Sequence, residues 1–403
     1  MPGIDGSREV VLARLTQQLA QPVNPPGQRQ SLASGVLGAA LWHLERAHYG
    51  IPAARERAHT CISTALADPI SNAEVAGLFA GLPAVAFVLH TAEAVIPEYQ
   101  PVIAEFDTHL IRLAHRRVDT AQARIRSGKP ATFGEYDLLG GLTGIGALLL
   151  RHHPGNDALH RVLTYLVTLT QPLRRDGENL PGWWVGHAPD PLLPTPGGHA
   201  NLGLAHGITG PLALLSLAHR RGIHIDGHRE AIERICAHLD RWQHPSDTGT
   251  WWPYWITHHT YKRGHHDQTH PERPSWCYGT PGIARAQQLA AIATGDTRRQ
   301  QRAETALDAC LSDPDQLDLI TSTGLCHGWA GLYHTTVRAA ADAHTPALAA
   351  HLPRLATRLA RHTAEAPPAE YGFLDGATGT ALALHTTPIN TPLSDWDQCL
   401  LTI

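Results

Sequence analysis

The stretch NLGLAHGITGPLALLSL at residues 201–217 joins a glycine-rich turn to an apolar segment with helical spacing. Its centre reads x-G-x-x-G, and Ile208, Leu212 and Leu215 follow the first glycine at intervals of four and three residues, which is typical of a helix that begins at a tight turn. The same pattern occurs seven times, with Ala84 replacing the second glycine in the second copy. The first glycines of the seven copies are Gly35, Gly81, Gly141, Gly207, Gly279, Gly328 and Gly376.

The spacing of these motifs predicts the architecture. Separations of about 48 residues at both ends of the chain suit one helical hairpin per repeat. Further helical patterns at 230–242 and 347–362 would supply outer helices. Seven hairpins predict an all-α fold, an α/α toroid with an inner and an outer ring of helices. An open solenoid is the alternative, but its end repeats usually have polar caps, and the first and last motifs here look like the others.

The longer gaps in the centre of the chain indicate insertions within one domain. We expect residues 1–403 to form a single toroid with loop insertions around 181–201 and 248–276, which are rich in Trp, Pro and His. Long loops in a compact domain are often functional. The alternative is that they only plug one end of the ring.

Composition excludes several classes of protein. The net charge of -4, the hydrophobic fraction of 43% and the charged fraction of 17% describe an ordinary globular chain. No basic run is present, so we expect no nucleic-acid partner. Without a run of about 18 apolar residues, we expect no membrane span. The start MPGIDGSREV lacks the pattern of a signal peptide, so a cytoplasmic location with reduced cysteines is the expectation.

Two motif loops carry three potential metal ligands beside their first glycine. They are Cys277 in WCYGTPG, and Cys326 and His327 in LCHGWAG. If the loops converge on the axis of a ring, two thiolates and one imidazole would meet. That set suits zinc and leaves the fourth tetrahedral position open, as in catalytic sites. The alternative is two buried cysteines and a core histidine, but their equivalent places in the repeats favour zinc.

The same loops contain candidates for proton transfer and charge stabilisation. His206 occupies the place in its repeat that His327 has in its own, and it would transfer protons to or from a substrate. Asp137 would orient that histidine or assist the transfer, and Arg273 would bind an anion or a developing enolate. Each has a structural alternative: a hydrogen-bonded core histidine, a helix N-cap and an exposed arginine, respectively.

The histidines of the second insertion are a second candidate metal cluster, but they lack the spacing of a recognised site, and the other cysteines show no partner pattern. We interpret the histidines of the second insertion as a solvated loop, namely His258, His259, His265, His266 and His270. The other cysteines are expected to be packing residues, namely Cys61, Cys236, Cys310 and Cys399.

Taken together, the motifs resemble those of the LanC lanthionine synthetase cyclase family. The resemblance rests on N-x-G-x-A-H-G-x-x-G at 201–210, W-C-Y-G-x-P-G at 276–282 and C-H-G-x-x-G at 326–331. YDLLGGLTGIG at 136–146 and GFLDGATGTALAL at 372–384 extend it over nearly the whole chain. It implies a toroid of seven inner and seven outer helices with zinc in the central cavity. By motif position, the zinc ligands would be Cys277, Cys326 and His327, and the active-site residues His206, Asp137, Arg273 and Tyr278.

The resemblance also implies a reaction and its partners. The family closes thioether rings by adding cysteine thiols to dehydrated Ser and Thr residues of a precursor peptide. A dehydratase is a further candidate partner. Alternatives are the addition of an external thiol such as glutathione to dehydrated peptides and a non-catalytic peptide-binding scaffold. A protein prenyltransferase would use an Asp ligand and a second subunit, and a glycosidase would need paired carboxylates, for which only Asp137 and Asp375 are candidates.

Overall fold

The computed structural model describes residues 4–20, 27–190, 192–246 and 249–403. Helices dominate it, as the sequence predicts. In chain order the helices are α1 (Ile4–Leu19), α2 (Val36–His48), α3 (Ala54–Leu66), α4 (Leu82–Ala92), α5 (Gln100–Arg126), α6 (Phe133–Tyr136), α7 (Leu142–His152), α8 (Asp157–Leu169), α9 (Thr209–Arg220), α10 (His228–Arg241), α11 (His258–Arg263), α12 (Thr280–Thr294), α13 (Thr297–Ser312), α14 (Pro314–Asp318), α15 (Trp329–Ala341), α16 (Ala347–Glu365) and α17 (Ala377–Thr386).

The chain divides into two compact units. The first combines the N-terminal part up to Leu110 with Ile320–Leu401, and the second comprises Ile111–Leu319. In the first unit, α2 packs on α3, α15 on α16, and α17 on α1. In the second, α7 packs on α8, α9 on α10, and α12 on both α9 and α13. Each unit is thus built from pairs of helices, as the repeat spacing predicts.

Every one of the seven glycine motifs is followed by the helix that it predicts. These helices are α2, α4, α7, α9, α12, α15 and α17. They are buried nearly all round; in α9, for example, every residue from Thr209 to Ala218 is buried. Their partners are amphipathic: α10 buries Ala231, Ile232, Ile235 and Leu239, which recur at helical spacing. Mostly apolar motif helices therefore form the core, and the partner helices cover them.

The motif glycines are required by close backbone packing, as the sequence predicts. A Cβ atom on Gly207 would lie 2.4 Å from the backbone nitrogen of Gly203 and 2.5 Å from Oδ1 of Asn201. Gly279 adopts a φ of +86°, which side chains other than glycine rarely allow. These glycines let the loops that precede α9 and α12 turn sharply.

The two central insertions are not purely loops. They and their flanks contain short strands that pair as three two-stranded antiparallel sheets. The strands are β1 (Leu173–Arg175), β2 (Glu178–Leu180), β3 (His199–Asn201), β4 (His244–Ser246), β5 (Gly249–Trp251) and β6 (Trp255–Thr257). The pairs are β1 with β2, β3 with β6, and β4 with β5, so β3 joins the first insertion to the second. Residues 191 and 248, which belong to the predicted insertions, lie outside the described residues.

No helix in the described part of the chain is both long enough and apolar enough to cross a bilayer.

Candidate active site

The second unit brings His206 and Asp137 together, although they are far apart in the sequence. Nδ1 of His206 lies 2.6 Å from Oδ2 of Asp137, which is almost fully buried. The other carboxylate oxygen, Oδ1, accepts a hydrogen bond of 2.8 Å from the backbone N–H of Gly140. Because an ionised carboxylate only accepts hydrogen bonds, Nδ1 of His206 carries the proton and Nε2 is the basic nitrogen.

Backbone contacts hold the two loops side by side. The N–H of Leu138 donates to the carbonyl of Ala205 at 3.1 Å, directly beside the His206–Asp137 bond. The ring of Phe133 lies 5.5 Å from the His206 ring. Main chain and side chains therefore fix the orientation of the imidazole together.

The surroundings of His206 change its proton affinity. Burial lowers the pKa of His206, but the hydrogen bond and charge of Asp137, with a contribution from Cys277, raise it by more. The pKa of His206 is consequently raised above its ordinary value, which suits a group that exchanges protons near neutral pH.

Cys277 lies in a tight turn just before α12. Its side chain is buried, and Sγ lies 3.4 Å from Oγ of Ser275. Ser275 donates from Oγ to the carbonyl of Tyr278 at 2.7 Å and accepts from the N–H of Tyr278 at 3.1 Å. The carbonyl of Cys277 accepts a hydrogen bond of 2.9 Å from the N–H of Leu204. The cysteine turn and the loop that carries His206 are thereby joined within one unit.

Tyr278 is held by a hydrogen bond to its hydroxyl and by a contact of its ring with another ring. Its hydroxyl accepts a hydrogen bond of 3.0 Å from Nδ2 of Asn201, and Oδ1 of Asn201 accepts 2.9 Å from the N–H of Gly203. The ring lies 4.9 Å from that of Tyr254. Burial raises the pKa of Tyr254 well above its ordinary value. Tyr278 is thus tied to the His206 loop through Asn201.

Arg273 is half-buried at the start of the same turn. Its carbonyl accepts a hydrogen bond of 2.7 Å from the hydroxyl of Tyr254. Its Nε atom is buried and has no hydrogen-bond partner in the part of the chain that the structure describes. The structure therefore anchors its backbone near Cys277 but pairs its guanidinium with none of the other candidate residues described.

Cys326 and His327 lie in the first unit, in the loop before α15. The N–H of Cys326 donates to the carbonyl of Leu374 at 2.9 Å. Nδ1 of His327 lies 3.4 Å from Oδ1 of Asp375. Asp375, which sequence reasoning considered only as a possible glycosidase carboxylate, thus lies beside a proposed metal ligand. Carboxylates beside metal-binding histidines commonly fix the orientation of the ring.

The three candidate ligands are close enough to hold one metal ion. Sγ of Cys277, Sγ of Cys326 and a ring nitrogen of His327 all lie within 4.8 Å of one another. Two thiolate sulfurs and one imidazole nitrogen are a donor set that suits zinc, and three protein ligands leave one position for a substrate. The residues present therefore fit a catalytic zinc site.

Sequence reasoning missed two residues of this site. Ser275 organises the cysteine turn, and Asn201 joins Tyr278 to the glycine loop. Asn201 stands in the quoted N-x-G motif, so its position was a signal, but its contacts follow only from the fold. Ser275 offered no signal beyond its nearness to Cys277.

The other cysteines are packing residues, as the sequence predicts. They are buried, and burial raises the pKa of the Cys61 and Cys236 thiols to about 12. In the second insertion, three histidines are exposed, whereas Nε2 of His258 lies 2.8 Å from Oε2 of Glu178. That insertion is therefore solvated only in part.

Comparison with known protein families decides the classification. A model described as "Lanthionine synthetase C-like protein" matches residues 26–401. The chain belongs to the lanthionine synthetase C-like family. The match covers nearly the whole chain, as the resemblance of the sequence motifs predicts.

This family member is similar to proteins of nisin biosynthesis. It is 23% identical to "Nisin biosynthesis protein NisC" of Lactococcus lactis subsp. lactis over 280 residues, which make up 66% of this chain and 64% of that protein. The solved structure of "Nisin cyclase" matches 99% of this chain and 97% of its own with a TM-score of 0.79 and 18% identity. This likeness confirms the predicted α/α toroid.

Proposed function

We propose that this chain is a zinc-dependent lanthipeptide cyclase. Its reaction would add a peptide Cys thiol to dehydroalanine or dehydrobutyrine and form a lanthionine or methyllanthionine ring. The observation that carries the proposal is the group of two cysteine sulfurs and one histidine nitrogen within 4.8 Å, in a member of this family.

Cys277, Cys326 and His327 would hold the metal, with Asp375 orienting His327. When bound, zinc would supply a Lewis acid that lowers the pKa of a substrate thiol. The turn around Ser275 keeps Cys277 in place, and the hydrogen bond from Cys326 to Leu374 does the same for the second cysteine.

His206 would carry out the proton transfers. In the overall reaction the thiol loses a proton, a carbon–sulfur bond forms at the β-carbon, and the α-carbon gains a proton. Nε2 of His206 is the basic nitrogen because Asp137 holds the proton on Nδ1. A carboxylate behind an imidazole stabilises its protonated form as well as its orientation.

Arg273 and Tyr278 would act on the charge of the intermediate enolate. The buried Nε–H of Arg273 is a donor that a developing oxyanion would satisfy. Tyr278 has a hydroxyl already fixed by Asn201, so it would donate its own proton in a defined direction.

The substrate, partners and location belong to the same proposal. A dehydrated precursor peptide is the substrate that this chemistry requires, and a dehydratase is a candidate partner because it would generate the alkenes. The reaction needs reduced cysteines, which supports the cytoplasm as its place. We further propose that residues 1–403 function as one domain, which the family match over residues 26–401 supports.

The test is to incubate the zinc-loaded protein with its dehydrated precursor and then alkylate the free thiols. We expect one fewer thiol adduct per ring and no change in the mass of the unalkylated peptide. If the peptide carried as many thiol adducts with the wild-type protein as without it, the result would contradict the proposal and favour a binding scaffold. A mass gain when glutathione is supplied would instead favour addition of an external thiol.

A matched pair of cysteine variants tests the assignment of the zinc ligands. Cys326→Ala should lose zinc and restore the adducts, whereas Cys310→Ala, in α13, should do neither. Full zinc content in Cys326→Ala would contradict the ligand assignment.

A further inference from the structure

A buried arginine on α5 donates hydrogen bonds to the loop that carries Asp137. Arg117 is 5% exposed. One of its terminal nitrogens donates to the carbonyl of Gly140 at 2.6 Å, and the other donates to the carbonyl of Gly134. Gly134 and Gly140 stand three residues before and three residues after Asp137. The guanidinium therefore spans the loop with Asp137 at its centre.

Within this loop, the carboxylate is fixed by bonds to the same backbone. The N–H of Asp137 donates to the carbonyl of Phe133 at 2.9 Å, and its Oδ1 accepts from the N–H of Gly140 at 2.8 Å. Arg117 binds the carbonyl of that same Gly140. A shift of Gly140 would consequently move the group that orients the carboxylate.

A second anchor holds the beginning of the loop. Glu135 forms a partly buried ion pair with Arg124, also on α5, and accepts a hydrogen bond of 2.6 Å from the hydroxyl of Tyr165 on α8. This anchor binds α6 before Asp137, whereas Arg117 also binds Gly140 after it. The two anchors are therefore not redundant.

The local sequence cannot keep this shape unaided. α6 has only four residues, which is far below the length at which a helix is stable alone. Glycines at 134, 140 and 141 add backbone freedom. An arginine suits this place because its planar fork donates in two fixed directions, whereas a lysine ammonium is a point donor that cannot reproduce that geometry.

We propose that Arg117 is a positioning residue for ring closure: it holds the 134–140 loop so that Asp137 keeps His206 in its reactive orientation. This inference rests on the proposed function of His206. Arg117 is buried and acts through the loop, so it would affect the proton-transfer step and leave peptide binding alone.

The test is a double-mutant cycle with Arg117→Lys and His206→Asn, with Arg117→Gln as a second replacement. Rates are measured on the zinc-loaded protein with a dehydrated precursor, below the unfolding midpoint of every variant. Because misplacement of a catalytic group by about 1 Å costs up to about 100-fold in rate, we expect Arg117→Lys to lower kcat by about tenfold or more. KM should change by less than about twofold, because no substrate contact is lost. Zinc content should be unchanged.

Measurement in the His206→Asn background distinguishes a positioning role of Arg117 from a general structural role. If Arg117 acts through His206, Arg117→Lys should lower the remaining rate by less than about twofold there, because coupled residues are not additive. An equal loss in both backgrounds, or an unchanged kcat in the wild-type background, would overturn the positioning role. Full activity of His206→Asn alone would overturn the assignment of His206 and this inference with it.

Arg285→Lys is the matched control. Arg285 is 1% exposed and donates from Nε to the carbonyl of Thr402 at 2.9 Å, so it is also a buried arginine bound to backbone in the second unit. We expect it to lower the thermal midpoint without the loss of kcat seen for Arg117→Lys. A comparable loss of kcat would show that any buried arginine has this effect and would contradict a specific role for Arg117.

Discussion

Asp137→Asn should move the proton of His206 from Nδ1 to Nε2 while leaving the shape of the site nearly intact. In the wild type, Oδ1 of Asp137 accepts from Gly140 and Oδ2 faces Nδ1 of His206 at 2.6 Å. The asparagine must keep its oxygen toward the Gly140 N–H, so its NH₂ group would face His206. Nδ1 would then accept, the proton would move to Nε2, and the nitrogen that should act as the base would be blocked.

The size of the effect follows from what the proton transfer contributes. A positioned general acid or base is worth about 10²–10⁴ in rate, so we expect kcat to fall by that factor, or by about 3–5 kcal/mol in activation free energy. The variant replaces a hydrogen bond to a charged group, worth about 1.5–3 kcal/mol in stability, by a neutral one, so the fold should survive. Zinc content should be unchanged, because no proposed ligand is altered.

Rapid alkylation of free thiols during a single turnover would measure this rate. The pKa of His206 is raised by Asp137, so the limb of the pH–rate profile that reports it should also move to lower pH. Asp107→Asn is the matched control, since Asp107 Oδ1 lies 2.8 Å from Nε2 of His90 in the first unit and should not affect the rate. A rate within about twofold of wild type for Asp137→Asn would refute the reasoning, because general catalysis is worth far more than that.

Four further outcomes test other parts of the account. His206→Asn should keep full zinc by metal analysis but lose most turnover; loss of zinc would make it a ligand. Cys277→Ala should lose both zinc and thiol consumption, and retained zinc would contradict its assignment. Gly207→Ala should lower the free energy of unfolding by about 1–3 kcal/mol through its 2.4 Å clash, whereas Gly155→Ala, with no neighbour within 4 Å, should not. Burial lowers the pKa of His238 to about 3, so the unfolded state binds more protons than the folded state as pH falls below about 6.5. The free energy of unfolding should therefore fall by about 2 kcal/mol between neutral pH and pH 5 through this group. His238→Gln should show a smaller fall in denaturant titrations.

Much of the helical framework could be predicted because the signal recurs. Each motif combines a glycine at its turn with apolar residues at helical spacing, and seven copies reinforce one another. The strands β1 to β6 were missed because three residues are too few to show a two-residue period. Strands β3 and β6 link the two insertions by pairing with each other, and that pairing joins residues far apart in the sequence.

The candidate site was predictable only as far as residue type and repeat position allow. Cys277, Cys326 and His327 were found because thiols and an imidazole beside motif glycines are unusual. The contact between Asp137 and His206 was only one of two interpretations, since the position of Asp137 on its own favours a helix N-cap. Arg117 lies in a helix with many charged residues, and no sequence pattern separates it from an ordinary surface arginine.

Tandem mass spectrometry of the peptide product tests the central claim most directly. A thioether ring holds both ends of the enclosed segment, so backbone cleavage inside the ring releases no fragment. The account predicts that the zinc-loaded enzyme leaves the mass of its dehydrated precursor unchanged while fragment ions between the joined Cys and the former dehydro residue disappear, and that Cys326→Ala leaves them in place. A complete fragment series after incubation with the zinc-loaded wild-type enzyme would contradict it.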